Sequence, residues 1–292
     1  MSALEQDAFG RAGVCVTYPE LRRLGYTRQE VENALESGHL FRARRNVYLW
    51  RSATLDERRA ARVGGRVDCT TVLRSRGIFV LDREDVRLHV QVSPSGSRLR
   101  SATDRKRRLR CAEDGVSIQV HWRGSDADGA DVNAPLIEAL AQAMRCQGPR
   151  AGLASIDSAL HQGLIRQTDL SALFASLPPR FQRLRGLVDG RAESGSETFA
   201  RLIARATGRS VEVQKRIPGV GRVDLVVDGW IVIECDSREF HEGWEKQAAD
   251  RLRDLELAAL GYAVLRPTAH LLFTSPDILI KAIRGLLAAG RR

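Results

Sequence analysis

The sequence predicts an α/β multidomain protein, and three observations carry that expectation. Residues 17–50 read as two short capped helices followed by a basic two-strand hairpin. The runs DVRLHVQVSP (85–94) and VSIQVHWRG (116–124) read as strands ahead of a helical stretch from Ala134 to Ala175, an α+β pattern. The last third runs helix, hairpin, helix, strand, helix, an order that builds a mixed sheet with flanking helices. A chain of 292 residues accommodates two or three such domains, and the expected boundaries are 1–51, 52–185 and 186–292.

The first helix is signalled by Thr17-Tyr18-Pro19-Glu20, a capping box with proline in the first turn, and ends at Gly25. Thr27-Arg28-Gln29-Glu30 repeats the box and opens a second helix, with Val31, Ala34 and Leu35 on one face and Gly38 at its end. HLFRARRNVYLW (39–50) then reads as two strands about a basic turn at Arg44-Arg45-Asn46. Helix, tight turn, helix and basic hairpin together describe a winged helix. In that arrangement Arg28, Gln29, Glu32 and Asn33 would meet base edges, while Arg42, Arg44 and Arg45 would grip the backbone or minor groove. A small helical protein-interaction domain is the alternative.

Residues 15–50 resemble the N-terminal winged helix of the AbiEi-type antitoxins, the autoregulators of type IV abortive-infection toxin–antitoxin pairs. Leu24-Gly25, Thr27, Gly38-His39-Leu40 and Val47-Tyr48 carry the resemblance. The strand-like runs and the helical stretch are similar, more loosely, to the middle domain of long members. There the usual proline-rich helix entry is reduced to Asn133-Ala134-Pro135. DNA and a cognate toxin are the partners this resemblance implies, with a homodimer as one assembly.

Composition points the same way. The formal net charge is +10, and of 46 basic residues four are lysine and 42 arginine, which favours a polyanionic partner. Seven of the thirteen residues from Arg98 to Arg110 are basic, against one acid, Asp104. Such a run either contacts phosphates or is a solvated loop. No apolar run approaches the roughly 18 residues of a membrane span. The N-terminus has no basic region ahead of an apolar one, so a cytoplasmic protein without a membrane partner is expected. Five cysteines, at 15, 69, 111, 146 and 235, are scattered widely enough to suggest buried thiols rather than disulfides or a zinc site.

The chemistry is concentrated in RVDLVVDGWIVIECD, residues 222–236. Two apolar strands joined at Asp228-Gly229 carry Asp224, Glu234 and Asp236. Burying ionised carboxylates among Val, Ile and Leu costs several kcal/mol each, roughly, unless a cation compensates. Strand alternation puts Glu234 and Asp236 on one face. Asp224 joins them only if the connection is odd in length or bulged, which would pair it near Val232; a two-residue turn would pair it with Ile233 and turn it away. A hairpin with a wet polar face is the alternative.

From about Gly186 the chain is similar to the endonuclease-like family related to the very-short-patch mismatch repair endonuclease, in the PD-(D/E)xK superfamily. Glu197, Arg222-Val223-Asp224, Glu234-x-Asp236, His241, Asp250-Arg251-x-Arg253-Asp254 and Gly261-Tyr262-x-Val264-Leu265-Arg266 carry the resemblance. It implies a restriction-endonuclease-like sheet and Mg²⁺ (or Mn²⁺) held by Asp224, Glu234 and Asp236. Glu197 would position water or a second metal, although it also serves as the third-position partner of Ser194 in a capping box. His241 would shuttle a proton or make a structural hydrogen bond. Arg251, Arg253 and Arg266 would clamp phosphate or pair with Asp250 and Asp254. The sequence departs from the family where Asp236-Ser237 replaces an Asp-Gly pair, and it lacks the repair enzyme's zinc cysteines.

The expected function is therefore a DNA-binding protein with a metal-dependent endonuclease domain, in phage defence or a mobile-element context. A transcriptional repressor or antitoxin with a non-cleaving nuclease-like domain is the alternative, and an RNA-directed nuclease using residues 98–110 is a third reading.

Overall fold

The computed structural model describes residues 14–81, 87–110, 112–113, 116–125, 131–235 and 244–290. The chain is mixed α/β, with twelve α-helices and three small sheets among the described residues. It divides into two compact units, Met1–Gly77 with Asp82–Gln142 and Ile78–Leu81 with Ala143–Arg292. No helix among the described residues is long and apolar enough to cross a membrane.

The first unit begins with strand β1 (Cys15–Val16), helices α1 (Tyr18–Arg23) and α2 (Arg28–Glu36), and strands β2 (Leu40–Arg44) and β3 (Val47–Trp50). Both predicted capping boxes form. Glu20 Oε2 accepts from the Thr17 amide at 2.6 Å, and Glu30 Oε2 from the Thr27 amide at 2.7 Å. The strands make an antiparallel sheet in the order β1-β3-β2, with a register shift between Arg42 and Arg44. Asn46 closes the β2–β3 turn in the left-handed region, φ 60°, and its side chain accepts from the Tyr18 amide at 3.0 Å. The hairpin is thereby tied to the start of α1. Val16, Leu21, Val31, Leu40, Tyr48 and Trp50 fill the core beneath.

Helix α3 (Leu55–Val63) follows, then β4 (Arg66–Val67), α4 (Cys69–Ser75), β5 (Leu88–Val92), β6 (Ala112–Glu113) and β7 (Val116–Trp122). Their sheet runs β4-β5-β7-β6, with β5 and β7 parallel and the other pairs antiparallel. Helix α5 (Leu136–Gln147) closes this part of the chain. Asp68 is fully buried because Arg123 meets it through two nitrogens, at 2.8 and 3.3 Å, and also pairs with Glu138.

The second unit takes in the end of α5 from Ala143 and continues with α6 (Pro149–His161), α7 (Asp169–Ala175) and α8 (Pro179–Gln182), then α9 (Gly195–Arg205). Strands β8 (Val211–Ile217), β9 (Gly221–Val227) and β10 (Ile231–Ile233) precede α10 (Trp244–Ala259), β11 (Ala263–Leu265), α11 (Ala269–Thr274) and α12 (Pro276–Ala289). The sheet order is β11-β10-β9-β8, with only the β10–β11 pair parallel. Phe199 and Ile203 of α9 pack with Leu225, Ile231 and Ile233 in one cluster, while Leu257 of α10 packs with Val226 and Val232 in another. Carboxylates on these strands are therefore hemmed in by apolar neighbours, as the sequence suggested.

One expectation about this hairpin is corrected. The connection is odd in length, Asp228-Gly229-Trp230, but Val226 rather than Asp224 lies across from Val232. Asp228 and Gly229 both take left-handed backbone, φ 47° and 76°, and Asp228 exchanges hydrogen bonds with Ser210. The loop is thus pinned at its tip, and Trp230 belongs to it rather than to a strand. Continued by one step, the Leu225–Ile233 register sets Asp224 opposite Glu234.

Candidate functional site

The sheet of the second unit brings Asp224 and Glu234 together. Asp224 Oδ2 accepts from the Cys235 amide at 2.8 Å, and Glu234 Oε2 lies 3.4 Å from the Asp224 amide. Alternation breaks at Asp224, since Val223 and Leu225 lie in different core clusters. Glu234 is buried at 7% exposure, and its own amide donates to the Leu265 carbonyl at 3.0 Å, fixing the strand end against β11. Burial, then the neighbouring Asp224, pushes the Glu234 carboxyl up to about 7, against the pull of Arg253 and Arg266. Burial likewise raises Asp224, while the Cys235 amide and Arg253 draw it back.

Glu197 sits buried in the first turn of α9. Its backbone amide donates to the Ser194 hydroxyl at 3.2 Å, as a cap requires. The reciprocal arm differs from the expected box: Oε2 accepts from the Glu193 amide at 2.9 Å and from Gln214 Nε2 at 2.8 Å. Burial raises its pKa, and Asp224 contributes to the rise. Burial, joined by Asp224, Glu197 and Glu234, holds the Cys235 thiol well above the usual range. Among the described residues, no three carboxylates bring their oxygens within 4.8 Å of one another, so the acidic site is a close pair with Glu197 nearby. Asp236 and His241 lie outside the described residues.

The arginines divide in a way the sequence left open. Arg266 makes a bidentate pair with Asp254 of α10, with contacts from 2.7 to 3.1 Å. Arg253 instead turns to the acidic pair. It stands 3.0 Å from Glu234 Oε1 and donates to the Arg222 carbonyl. The ion pair is not aligned as a hydrogen bond, so Glu234 Oε1 is buried without a donor. Arg222 itself pairs with Glu193 at 2.6 Å, linking β9 to the start of α9. Arg253 was expected to clamp phosphate or to pair with Asp250 or Asp254, whereas its described partner is Glu234; neither that pairing nor the Gln214 contact follows from strand parity or helical spacing.

A second surface lies wholly in the first unit. Arg42, Arg44 and Arg45 of the β2–β3 hairpin line one open cleft together with Arg98, Arg100 and Lys106. A neighbouring cleft shares Arg42 and Arg45 and adds Arg28 and Glu32 of α2. The 98–110 run is folded rather than loose. Arg100 bridges Arg108, and the Ser101 and Leu109 amides donate across the same narrow turn. Arg62 of α3 anchors it by donating to the carbonyls of Ala102 and Thr103, while its guanidinium stacks 4.6 Å from the Phe41 ring centre. Burial and the nearby Arg100 lower the pKa of Arg44, the mark of a cation held among cations. On α2, Arg28 pairs with Glu32 at 3.0 Å, and Gln29 donates to Asn33 at 3.0 Å along the exposed face.

No family model and no curated protein matches this chain.

Proposed function

We propose that the chain binds DNA through an N-terminal winged helix and hydrolyses phosphodiester bonds at a PD-(D/E)xK-type site. The observation that carries the second half is the Asp224–Glu234 pair: two carboxylates set side by side in an apolar sheet, one with an oxygen buried and undonated. Folding alone favours neither feature. An all-oxygen donor set of this kind suits a hard cation, and Asp224 and Glu234, with Asp236, would hold Mg²⁺ or Mn²⁺. Such an ion supplies charge neutralisation at the phosphate and a more acidic water.

The protein's own groups do the rest. Glu197, held by the Glu193 amide and Gln214, keeps an acceptor fixed near Asp224 to orient water. Arg253 balances the charge of the pair, and Arg222 ties β9 to the N-terminus of α9. In the first unit, the cleft from Arg28 through Arg42 and Arg45 to Arg98 and Lys106 supports the binding half, because a polyanion relieves repulsion among crowded guanidinium groups.

One observation favours the alternative, a repressor or antitoxin with a non-cleaving nuclease-like domain. Arg253 already stands where a cation would compensate Glu234. Duplex binding by the full chain, measured with and without Mg²⁺ and followed over time, separates the two. Product formation that requires Mg²⁺ supports the nuclease, whereas tight binding with the DNA left intact supports the repressor.

A further inference from the structure

A second constellation lies in the first unit, far in sequence from the carboxylates and different in chemistry. The donor atoms of Cys69, His89 and His121 all lie within 4.8 Å of one another. Cys69 is fully buried and His121 nearly so, at 8% exposure. His89 Nδ1 is 2.9 Å from His121 Nε2, with the ring centres 5.1 Å apart.

Parallel pairing explains why the imidazoles meet. The register matches His89 with Gln119 and Gln91 with His121, so the two histidines are diagonal neighbours on one face of the β5–β7 pair. Cys69 is brought over them by two anchors on either side of it. The Asp68 amide donates to the His89 carbonyl at 2.9 Å, and the His89 amide donates to Thr71 Oγ1 at 3.0 Å. Between those anchors Cys69 takes left-handed backbone, φ 52°, a conformation that costs a non-glycine residue about 1 kcal/mol or more. Thus the chain accepts local strain at the position where it presents a thiol to two imidazoles.

We propose that Cys69, His89 and His121 form a binding site for a divalent transition metal of the zinc class. Thiolate and imidazole are the donors such ions prefer, and a hard cation would be served poorly. The present spacing needs little change. Tetrahedral zinc with Zn–N of about 2.0–2.1 Å holds two nitrogens about 3.3 Å apart, a few tenths of an ångström beyond the hydrogen-bonded separation. The fourth position falls to water or a further side chain.

The proton balance is explicit. Without metal, the Gln142 amide donates to His121 Nδ1 across 3.2 Å, and His121 Nε2–H donates to His89 Nδ1. With metal, the Cys69 thiol proton leaves to solvent and a metal–sulfur bond forms. The His121 proton shifts to Nδ1, freeing Nε2 for the ion, and the Gln142 amide turns to accept it. Gln142 is then a positioning residue that fixes the tautomer of a ligand. The site would clamp the start of α4 to the β5–β7 pair.

The test is a Co²⁺ titration of the full chain after chelator treatment, read in the near-ultraviolet and visible. One equivalent is expected to bind with a sulfur-to-cobalt charge-transfer band, Zn²⁺ should displace it, and both ions should raise the melting temperature. Gln142→Ala, which leaves all three donors in place, should weaken binding by roughly 10- to 100-fold. His89→Ala and Cys69→Ser should remove the band, whereas Asp224→Asn should leave it intact. Absence of the band in the wild-type protein would overturn the proposal even if the ligand variants fail to fold. So would a band unaltered by both His89→Ala and Gln142→Ala.

Discussion

Asp224 of β9 lies beside Glu234, the residue that follows the antiparallel strand β10, with the Cys235 amide donating to Asp224 at 2.8 Å and the Asp224 amide 3.4 Å from Glu234. Each carboxylate therefore leans on the other's strand, and mutual repulsion is built into the sheet. The consequences are measurable in stability as well as in activity.

The first concerns pH. Glu234 has a raised carboxyl in the folded state, about 7 against an ordinary 4.5. The stability it contributes is fully present below 4.5 and is lost as pH rises through 7. In metal-free buffer the second unit should be less stable at pH 8 than at pH 4.5, by about 3 kcal/mol at most from this group. Asp157, raised by burial to about 6, adds the same sign over a lower window, between 3.8 and 6. Glu234→Gln isolates the two: denaturant melts of this variant should show the slope between pH 6 and 8 flattened and the protein stabilised at pH 8. A slope unchanged from the wild type would count against a protonated Glu234.

The same repulsion predicts a response to metal. Millimolar Mg²⁺ or Mn²⁺ should raise the melting temperature of the wild-type protein, and Asp224→Asn or Glu234→Gln should abolish the oxygen-site share of that rise. Mg²⁺ is the cleaner probe, since the Cys69 cluster would bind it poorly. A rise of equal size in both variants would place the Mg²⁺ elsewhere.

Arg201 and Asp157 join α9 to α6 as a buried ion pair, 2.6 Å apart, with Arg201 fully inaccessible. Thr198 and the Asp189 amide also donate to Asp157, and Arg201 donates to the Leu187 carbonyl. Removing one partner strands the other, so Arg201→Met should cost about 3–5 kcal/mol in chemical denaturation. The double variant with Asp157→Asn should cost clearly less than the two single variants together.

On the basic surface, alanine at Arg42, Arg44 and Arg45 should weaken DNA binding across sequences and reduce the salt slope by up to about 3. Alanine at Arg98, Arg100 and Lys106 should act in the same direction, because both sets line one cleft. Gly64→Ala offers a charge-neutral check. Its φ of 112° disfavours a side chain, and the added carbon would fall 1.8 Å from Arg44 Nη1. Since Nη1 is the free end of a flexible side chain that can move aside, binding assays should show at most a modest loss; a loss as large as that of Arg44→Ala would mean that the guanidinium must keep its present position to contact DNA.

Legibility of the fold followed the range of the interactions. Local chemistry was readable: the Thr17 and Thr27 boxes and the Arg44-Arg45-Asn46 turn depend on neighbours in sequence, whereas the order read after Ser194, helix, hairpin, helix, strand, helix, missed the edge strand β8 and the short helix α11. The β9–β10 register was misread by two residues because Ser210, eighteen residues before Asp228, pins the loop tip. Arg253 was read as a phosphate clamp or a partner of Asp250 or Asp254, and its pairing with Glu234 was not legible, since that contact is set by packing of α10 on the sheet. The Cys69, His89 and His121 cluster was invisible for the same reason. Its members are spaced 20 and 32 residues apart and meet only through a parallel strand pairing, so scattered cysteines suggested buried thiols and no metal.

Plasmid nicking reads most directly whether Asp224 and Glu234 serve hydrolysis. Purified full-length protein, incubated with supercoiled plasmid and Mg²⁺ or Mn²⁺, should convert it to open-circular or linear form. Chelator should stop the conversion, and so should Asp224→Asn or Glu234→Gln, while both variants still bind DNA through the first unit. Plasmid and single-stranded DNA both left intact by the wild-type protein, or cleavage that persists undiminished in both variants, would exclude hydrolysis at this carboxylate pair.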